Sequence, residues 1–369
     1  MPKKRCPQCR SINTKKHGSY HTHSLKATGK RQRKIQRDYC LDCHVSFSER
    51  AESKSAKRYE PSLILKAADL YFNAEASYRV VDRQLHVRPY QLFLWINELG
   101  KSCRSFEEIA QELCPQYTGY FLADATSISI EGEKQQLLLT ADVESQDIPY
   151  AALCKSEDYP SWKMILQGLK DRIHYPAKGV VIDGDPGLRR AIQEIFPGMP
   201  IQLCIKHLHS YHVYHLRCLF QGPKEGIRPF LDITHRMLYA KSPKHLEYLF
   251  KEYNLMRSFF IKKGLEVELL KFESKMNLIW THFDYPQLPG TNNIIEGIID
   301  KLKHKITDCH GFTYPETAWN SIKMIIMNYR FHKFTCSRIE GHNRKSPPEL
   351  AGVNTTGINW IKFSQKEQH

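Results

Sequence analysis

One stretch limits the folds open to this chain more than any other: residues 178–207, KGVVIDGDPGLRRAIQEIFPGMPIQLCIKH. Its run Val180-Val181-Ile182 is apolar and β-branched, which suits a strand buried on both faces. The run stops at Asp183-Gly184-Asp185-Pro186-Gly187. A carboxylate at the C-terminal end of a buried strand lies where open α/β sheets place their chemistry. Pro186 and Gly187 open a helix, in which Leu188, Ala191, Ile192 and Ile195 recur at the spacing of one buried face. Pro197 and Pro200 end it, and residues 201–205 resume as a strand. Taken alone, Asp183 and Asp185 serve equally well as turn residues or a helix cap.

The surroundings of this stretch decide between those readings. From Gly119 the pattern changes to three strand-like runs, residues 120–130, 135–142 and 148–154, joined by short polar turns as in an antiparallel meander. A helix over 162–173 leads into the organising stretch. The order strand-strand-strand-helix-strand-helix-strand is that of an RNase H-like α/β core. In that arrangement the first strand lies beside the fourth, which brings Asp124 close to Asp183. An acidic residue inside an apolar strand is costly without a partner such as a metal ion. Asp142, closing the second strand, reads as a turn or supporting residue. Residues 208–290 read as an α-helical insertion, with Ser242-Pro243 a helix start and Leu246, Leu249, Phe250 and Tyr253 one buried face. Trp280 reads as core. A further helix opens near residue 290 and carries Glu296 and, seven residues on, Lys303 on the same face. Its isoleucines 294, 295, 298 and 299 would hold Glu296 rigidly. Asp124, Asp183 and Glu296 together could hold two Mg²⁺ or Mn²⁺ ions, hard cations that prefer oxygen ligands.

Charge and cysteines describe the front of the chain. Of the net +15, +11 falls in residues 1–60, where 16 Lys and Arg face 5 Asp and Glu. A basic first domain points to nucleic acid. Cys6, Cys9, Cys40 and Cys43 form two CxxC pairs, the thiolate set that structural Zn²⁺ prefers. The insert between them is basic, with Lys30, Arg31, Arg33 and Lys34, and is expected to form a hairpin. Residues 51–60 read as a linker. Three short helices follow over 60–100, the last opened by Pro89 and carrying Leu92, Trp95, Ile96 and Leu99 inward. Two helices across the turn at Arg88 resemble a helix-turn-helix, which would present Arg88, Tyr90 and Gln91 to double-stranded DNA. Residues 101–118 read as a helical connector or dimer contact, and 336–369 as a C-terminal tail. No run is apolar enough to span a bilayer, so the expectation is a cytoplasmic, nucleoid-associated protein of a prokaryote.

In order along the chain stand Ala-Asp124-Ala-Thr, then Ile-Asp183-Gly-Asp-Pro-Gly-Leu followed by Arg-Ala-Ile. Gln202-Leu-Cys204 with His207, and Asn293-Ile-Ile-Glu296 with Lys303, complete the series. Over residues 119–335 this set resembles the DDE transposases of prokaryotic insertion sequences, the Mutator-like superfamily most closely. The resemblance implies that Asp124, Asp183 and Glu296 are the catalytic triad and that Lys303 contacts DNA. Asp185 stays as a second candidate for the middle position. The Cys204-x-x-His207 pair matches the family's, with a role in shaping the site or holding the strand end. The expected fold is an α/β, RNase H-like catalytic core over 119–335 with an α-helical insertion. A zinc ribbon over 1–50 and a helix-turn-helix over 60–100 would precede it. The expected activity is metal-dependent cleavage and strand transfer at the ends of a mobile element, by a homodimer or higher oligomer on DNA. The alternatives are a domesticated, non-catalytic DNA-binding or regulatory protein on the same scaffold, or a zinc-ribbon transcription factor with an unrelated C-terminal domain.

Overall fold

The structure, a computed structural model, describes residues 4–26, 29–48, 59–219, 227–309 and 311–366. The chain divides into two compact units, residues 1–96 and 97–369. The linker expected over 51–60 lies, apart from Tyr59 and Glu60, outside the described residues.

In the first unit, β1 (Thr14–Lys26) pairs antiparallel with β2 (Gly29–Cys40), and β3 (Ser46–Ser48) adds to the outer edge of β2. The basic insert between the cysteine pairs is therefore a long ribbon, bulged between Lys16 and Ser19. Each CxxC is followed by a residue in the left-handed region, Arg10 at φ 61° and His44 at φ 59°. Asp42 accepts from both Ser11 Oγ and Asn13 Nδ2, tying the two knuckles together. Three helices follow: α1 (Pro61–Phe72), α2 (Tyr78–Leu85) and α3 (Pro89–Lys101), the last running across the division between the units. Ser77 caps α2, and His86, left-handed at φ 54°, ends it and starts the tight turn into α3. Trp95 is buried edge-on against Tyr59, so it is core.

The second unit is built on a five-stranded sheet. Helix α4 (Phe106–Leu113), shorter than the connector expected over 101–118, starts at a Ser105/Glu108 capping box. The strands β4 (Tyr120–Ile130), β5 (Glu133–Asp142) and β6 (Tyr150–Cys154) form the antiparallel meander. Helix α5 (Tyr159–Asp171) leads to β7 (Gly179–Ile182), then α6 (Pro186–Ile195) and β8 (Ile201–Leu203). The sheet order is β6-β5-β4-β7-β8, with β7 parallel to β4 and β8 parallel to β7. This is the strand order expected of an RNase H-like core. Helices α5 and α6 cover one face: Trp162, Ile165, Leu166, Leu169, Leu188 and Ile192 pack on Phe121, Ala123, Leu138, Val180 and Ile182. On the other face lie α13 (Asn293–Thr307), packed on β4, and α14 (Pro315–Phe331), packed on β6.

The strand expected over 201–205 ends at Leu203, and Ile205 instead begins α7 (Ile205–Leu219). An apolar run of five residues does not by itself separate strand from buried helix. The insertion therefore starts before residue 208. It continues with α8 (Arg228–Leu238), α9 (Pro243–Lys262), α10 (Glu266–Glu273), α11 (Met276–Ile279) and α12 (Thr281–Asp284). It has a core of its own, including Leu216, Phe230, Leu249, Tyr253, Phe260, Phe272 and Trp280. Gln202, fully buried, donates to Ile279 O and accepts from His282 N, fastening the end of this insertion to β8. The C-terminal residues pack back on the same unit: α15 (Pro347–Leu350) and α16 (Trp360–Phe363) lie against α14, and Arg104 N donates to Ser364 O. Among the described residues no helix is long and apolar enough to cross a membrane.

Candidate active site

The register of two parallel neighbours builds the site. Leu122 on β4 stands opposite Val181 on β7. Two residues further on, each strand reaches an aspartate, Asp124 and Asp183. Side chains alternate along a strand and neighbouring strands run about 4.8 Å apart, so Asp124, within β4, and Asp183, the first residue after β7, come to the same end and face of the sheet. They share the parity of Leu122 and Val181, opposite to the residues that face α5 and α6. That is the face covered by α13, whose first turn carries Glu296.

The electrostatics agree with this geometry. Burial pushes Asp124 up to about 6, with Asp183 and Glu296 adding to the rise while Ala125 N–H and His207 oppose it. Glu296 forms an ion pair with Lys206, and its Oε1 lies 3.5 Å from His207 Nε2. That oxygen makes no hydrogen bond among the described residues. His207 is pushed up to about 9, first by its contact with Cys204 and then by Glu296 and Asp124, against the effect of burial. Ligand atoms of Cys204, His207 and Glu296 all lie within 4.8 Å of one another. Cys204 is fully buried and accepts from Asn292 N at 3.2 Å, while Ile205 N donates to Gly290 O. The end of β8 thus anchors the loop that starts α13, one turn before Glu296.

The other acidic residues separate by their partners. Asp185 caps α6, its Oδ1 accepting from Leu188 N at 2.7 Å, while its own N–H donates to Asp183 Oδ1 at 3.0 Å. Asp142 is buried and accepts five hydrogen bonds, from Thr118 N and Oγ1, Tyr175 OH, and Ser145 N and Oγ. It is a structural residue at the far end of the β4–β5 pairing, opposite Phe121. Glu157, in the loop before α5, was not among the residues singled out from the sequence. Burial pushes it up to about 7, and Asp183, Asp185 and Asp124 add to the rise, which brings it within their electrostatic range. Gly187 lets the two acidic loops meet: a Cβ there would come within 2.8 Å of Tyr159 N.

This donor set fits divalent cations. Burial and the neighbouring Asp183 and Glu296 carboxylates raise the proton affinity of Asp124, which a hard cation with oxygen preference would relieve, and Glu296 Oε1 has no hydrogen bond among the described residues to give up. The four thiols of the first unit also form one group. Their Sγ atoms lie within 4.8 Å of one another, with Cys6–Cys43 and Cys9–Cys40 at 3.5 Å. That is far longer than a disulfide and near the roughly 3.8 Å sulfur separation of a tetrahedral zinc–thiolate site. Of the residues proposed for DNA, Lys34, Arg88, Tyr90 and Lys303 are exposed and Gln91 is half-buried. The side chains of Lys30, Arg31 and Arg33 lie outside the described residues.

Residues 120–332 match the family model described as Transposase, Mutator family. The chain belongs to the Mutator family of transposases. The match spans the sheet, the helical insertion and α13 and α14, and so includes Asp124, Asp183, Cys204, His207, Glu296 and Lys303. No curated protein matches the chain. Among solved structures, it is similar to the HTLV-2 integrase catalytic core domain in complex with magnesium. There the identity is 16% and the TM-score 0.21, over 35% of this chain and 88% of that one. It is also similar to a chain of the simian T-cell lymphotropic virus intasome in complex with a PP2A regulatory subunit, at 11% identity and a TM-score of 0.21, over 48% and 69%.

Proposed function

We propose that this Mutator-family chain binds the ends of a mobile element in a prokaryotic nucleoid. There it catalyses DNA strand cleavage and strand transfer, with Asp124, Asp183 and Glu296 as ligands of two Mg²⁺ or Mn²⁺ ions. The observation that supports this most is the β4–β7 register, Leu122 opposite Val181, since Asp124 and Asp183 follow two residues on and α13, which bears Glu296, packs on β4. Asp142 is taken up by five hydrogen bonds, and Asp185 caps α6 while its N–H donates to Asp183 Oδ1, which supports Asp183 as the middle ligand with Asp185 as the residue that positions it. Two bound ions would supply charge neutralisation and activation for an in-line phosphoryl displacement, clamping the attacking and leaving oxygens. The chain's own groups do the rest. Lys206 and His207 hold the Glu296 carboxylate at the site. Lys303, exposed two turns along α13, contacts a DNA phosphate. The basic ribbon, folded around one Zn²⁺ on Cys6, Cys9, Cys40 and Cys43, and the helix from Pro89 locate the element end. The protein acts as a dimer or higher oligomer on DNA.

The test is cleavage of a labelled duplex taken from the inverted repeats that flank the gene, with Mg²⁺ and again with EDTA. Asp124→Ala, Asp183→Ala and Glu296→Ala should each lower the rate by at least ~10³-fold, the loss of several kcal/mol of charge stabilisation. DNA binding should be nearly unchanged. Lys303→Ala should be milder. Metal-independent cleavage, or wild-type rates from the Glu296→Ala protein, would overturn the assignment.

A further inference from the structure

Helix α7 leaves the candidate active site as a bare, cationic, aromatic-bearing surface. It opens beside Glu296 with Lys206 and His207. His207, Tyr211, Tyr214 and Cys218 follow at spacings of four, three and four, so they share one face. The opposite face, with Leu208, His212 and Leu216, is buried in the insertion. Tyr211 is 48% exposed and Tyr214 is 72% exposed, so both rings present open area to solvent. None of the 15 residues of α7 is acidic. Cations line both sides of the stripe. Lys206 and Arg217 are exposed on one side. On the other, Lys275 Nζ sits 5.2 Å from the Tyr211 ring centre, and Lys271 Nζ lies 2.9 Å from His215 Nε2. Arg189 of α6 belongs to the same group: Lys275 is held below its ordinary value by burial, then by Lys271 and Arg189, against Glu268.

We propose that this face of α7 is a track for single-stranded DNA, with Tyr211 and Tyr214 stacking the unpaired bases that adjoin the scissile phosphate. Arg217 and Lys275 would contact the backbone. The polyanion follows from charge complementarity along a helix with no acidic residue. The single strand follows from the tyrosines: a duplex offers phosphates to the cations but keeps its base faces stacked, whereas an unpaired base has a free face for a ring. Tyr214 is two turns, roughly 10 Å, from His207, so a strand held at the carboxylates reaches it within about two nucleotides. The position of the track relative to the scissile bond rests on the transposase reading; strand binding by α7 does not.

The experiment uses the full chain without added divalent metal, so that no cleavage occurs. Fluorescence anisotropy measures binding of a labelled oligothymidylate and of a duplex of equal length. The double variant Tyr211→Ala/Tyr214→Ala should weaken oligothymidylate binding by about 10-fold or more, the effect of losing base-stacking platforms. Duplex affinity should stay unchanged, and Tyr211→Phe/Tyr214→Phe should bind like the wild type. Photocrosslinking to an iododeoxyuridine strand should label the α7 peptide. Unchanged oligothymidylate affinity, equal loss for strand and duplex, or crosslinks confined to residues 1–96 would each overturn the proposal. A wild-type protein that binds strands through α7 yet never cuts DNA in Mg²⁺ would instead sink the transposase reading and leave the track standing.

Discussion

Asp183 and Asp185 sit two residues apart in one turn and have different hydrogen-bond partners. Gly184 between them adopts φ +109°, a conformation that side chains rarely take. Asp185 spends its side chain on the N-terminus of α6, and its N–H orients Asp183. Asp185→Ala should therefore cost about 1 kcal/mol of stability, the usual value of an N-cap, and lower the melting temperature while cleavage falls only partially. Asp185→Ser, which restores a cap, should recover both. Asp183→Ala should abolish cleavage without lowering the melting temperature. Calorimetry paired with the end-cleavage assay checks this, and loss of cleavage in the Asp185→Ser protein would reverse the two assignments. Glu157 shows the limit of reading residues one at a time. In sequence it stands in Ser-Glu-Asp before a proline-started helix, where Asp158 is an obvious cap. Nothing in that local pattern says that its carboxylate comes within electrostatic range of Asp183 and Asp124.

At the scale of elements, the knuckles, the capped helices and the strands of the sheet carry local signals. The meander, α5, β7, α6 and α9 follow periodicity and caps, as with Ser242 accepting from His245 N at the start of α9. The ends of β8 and α7 do not, because that junction is set by Cys204 N donating to Ile182 O and Ile205 N donating to Gly290 O. The ribbon is a different case, since so little of it is apolar core. Cys6 and Cys40 are buried among few other groups, so thiol coordination would supply much of its folding free energy. The full chain should carry one Zn²⁺, measured by atomic absorption after dialysis. Cys40→Ser should lose the ion and specific binding to element ends. Zinc-free wild-type protein, or an undiminished footprint from the variant, would refute this.

For the whole molecule, the helical insertion has a titratable weak point. His212 is 3% exposed, packs against Phe272, and neither ring nitrogen has a hydrogen-bond partner among the described residues. Burial holds it down to about 4, with Lys275, His209 and His215 lowering it further against Glu268. The folded state thus prefers the neutral ring. Above the unfolded value near 6.5 both states are neutral and stability is complete. As pH falls from there towards 4 the unfolded chain binds a proton that the folded one refuses. The loss approaches about 3 kcal/mol, an order-of-magnitude figure, by the time pH reaches the folded value. Melting curves at pH 7 and pH 5 should show a larger drop for the wild type than for His212→Leu, whose apolar side chain removes the titration. Equal drops would contradict it. A second buried group steadies the other side of the sheet: Arg330 of α14 makes two 2.7 Å bonds to Asp147, which also accepts from Tyr117 OH.

By itself the amino-acid sequence determined the order of the elements around the sheet and the cysteine knuckles, and it singled out Asp124, Asp183 and Glu296 as the proposed set of carboxylates. These are local matters: alternation, cap residues and an acid in an apolar strand are each legible within a few residues. Tertiary structure alone decided which hydrogen-bond partners each acid has. Asp142 bonds Tyr175 and Thr118, Asp185 caps the first turn of α6, and Glu157 comes into electrostatic range of Asp183 and Asp124 from a loop. It also decided that Lys206 and His207 reach Glu296 from about 90 residues away in the chain. Such contacts depend on two strands meeting in register and on a helix docking over them. No short window of sequence contains both partners, so only the closed fold sets the charge, burial and hydrogen bonds that define the site.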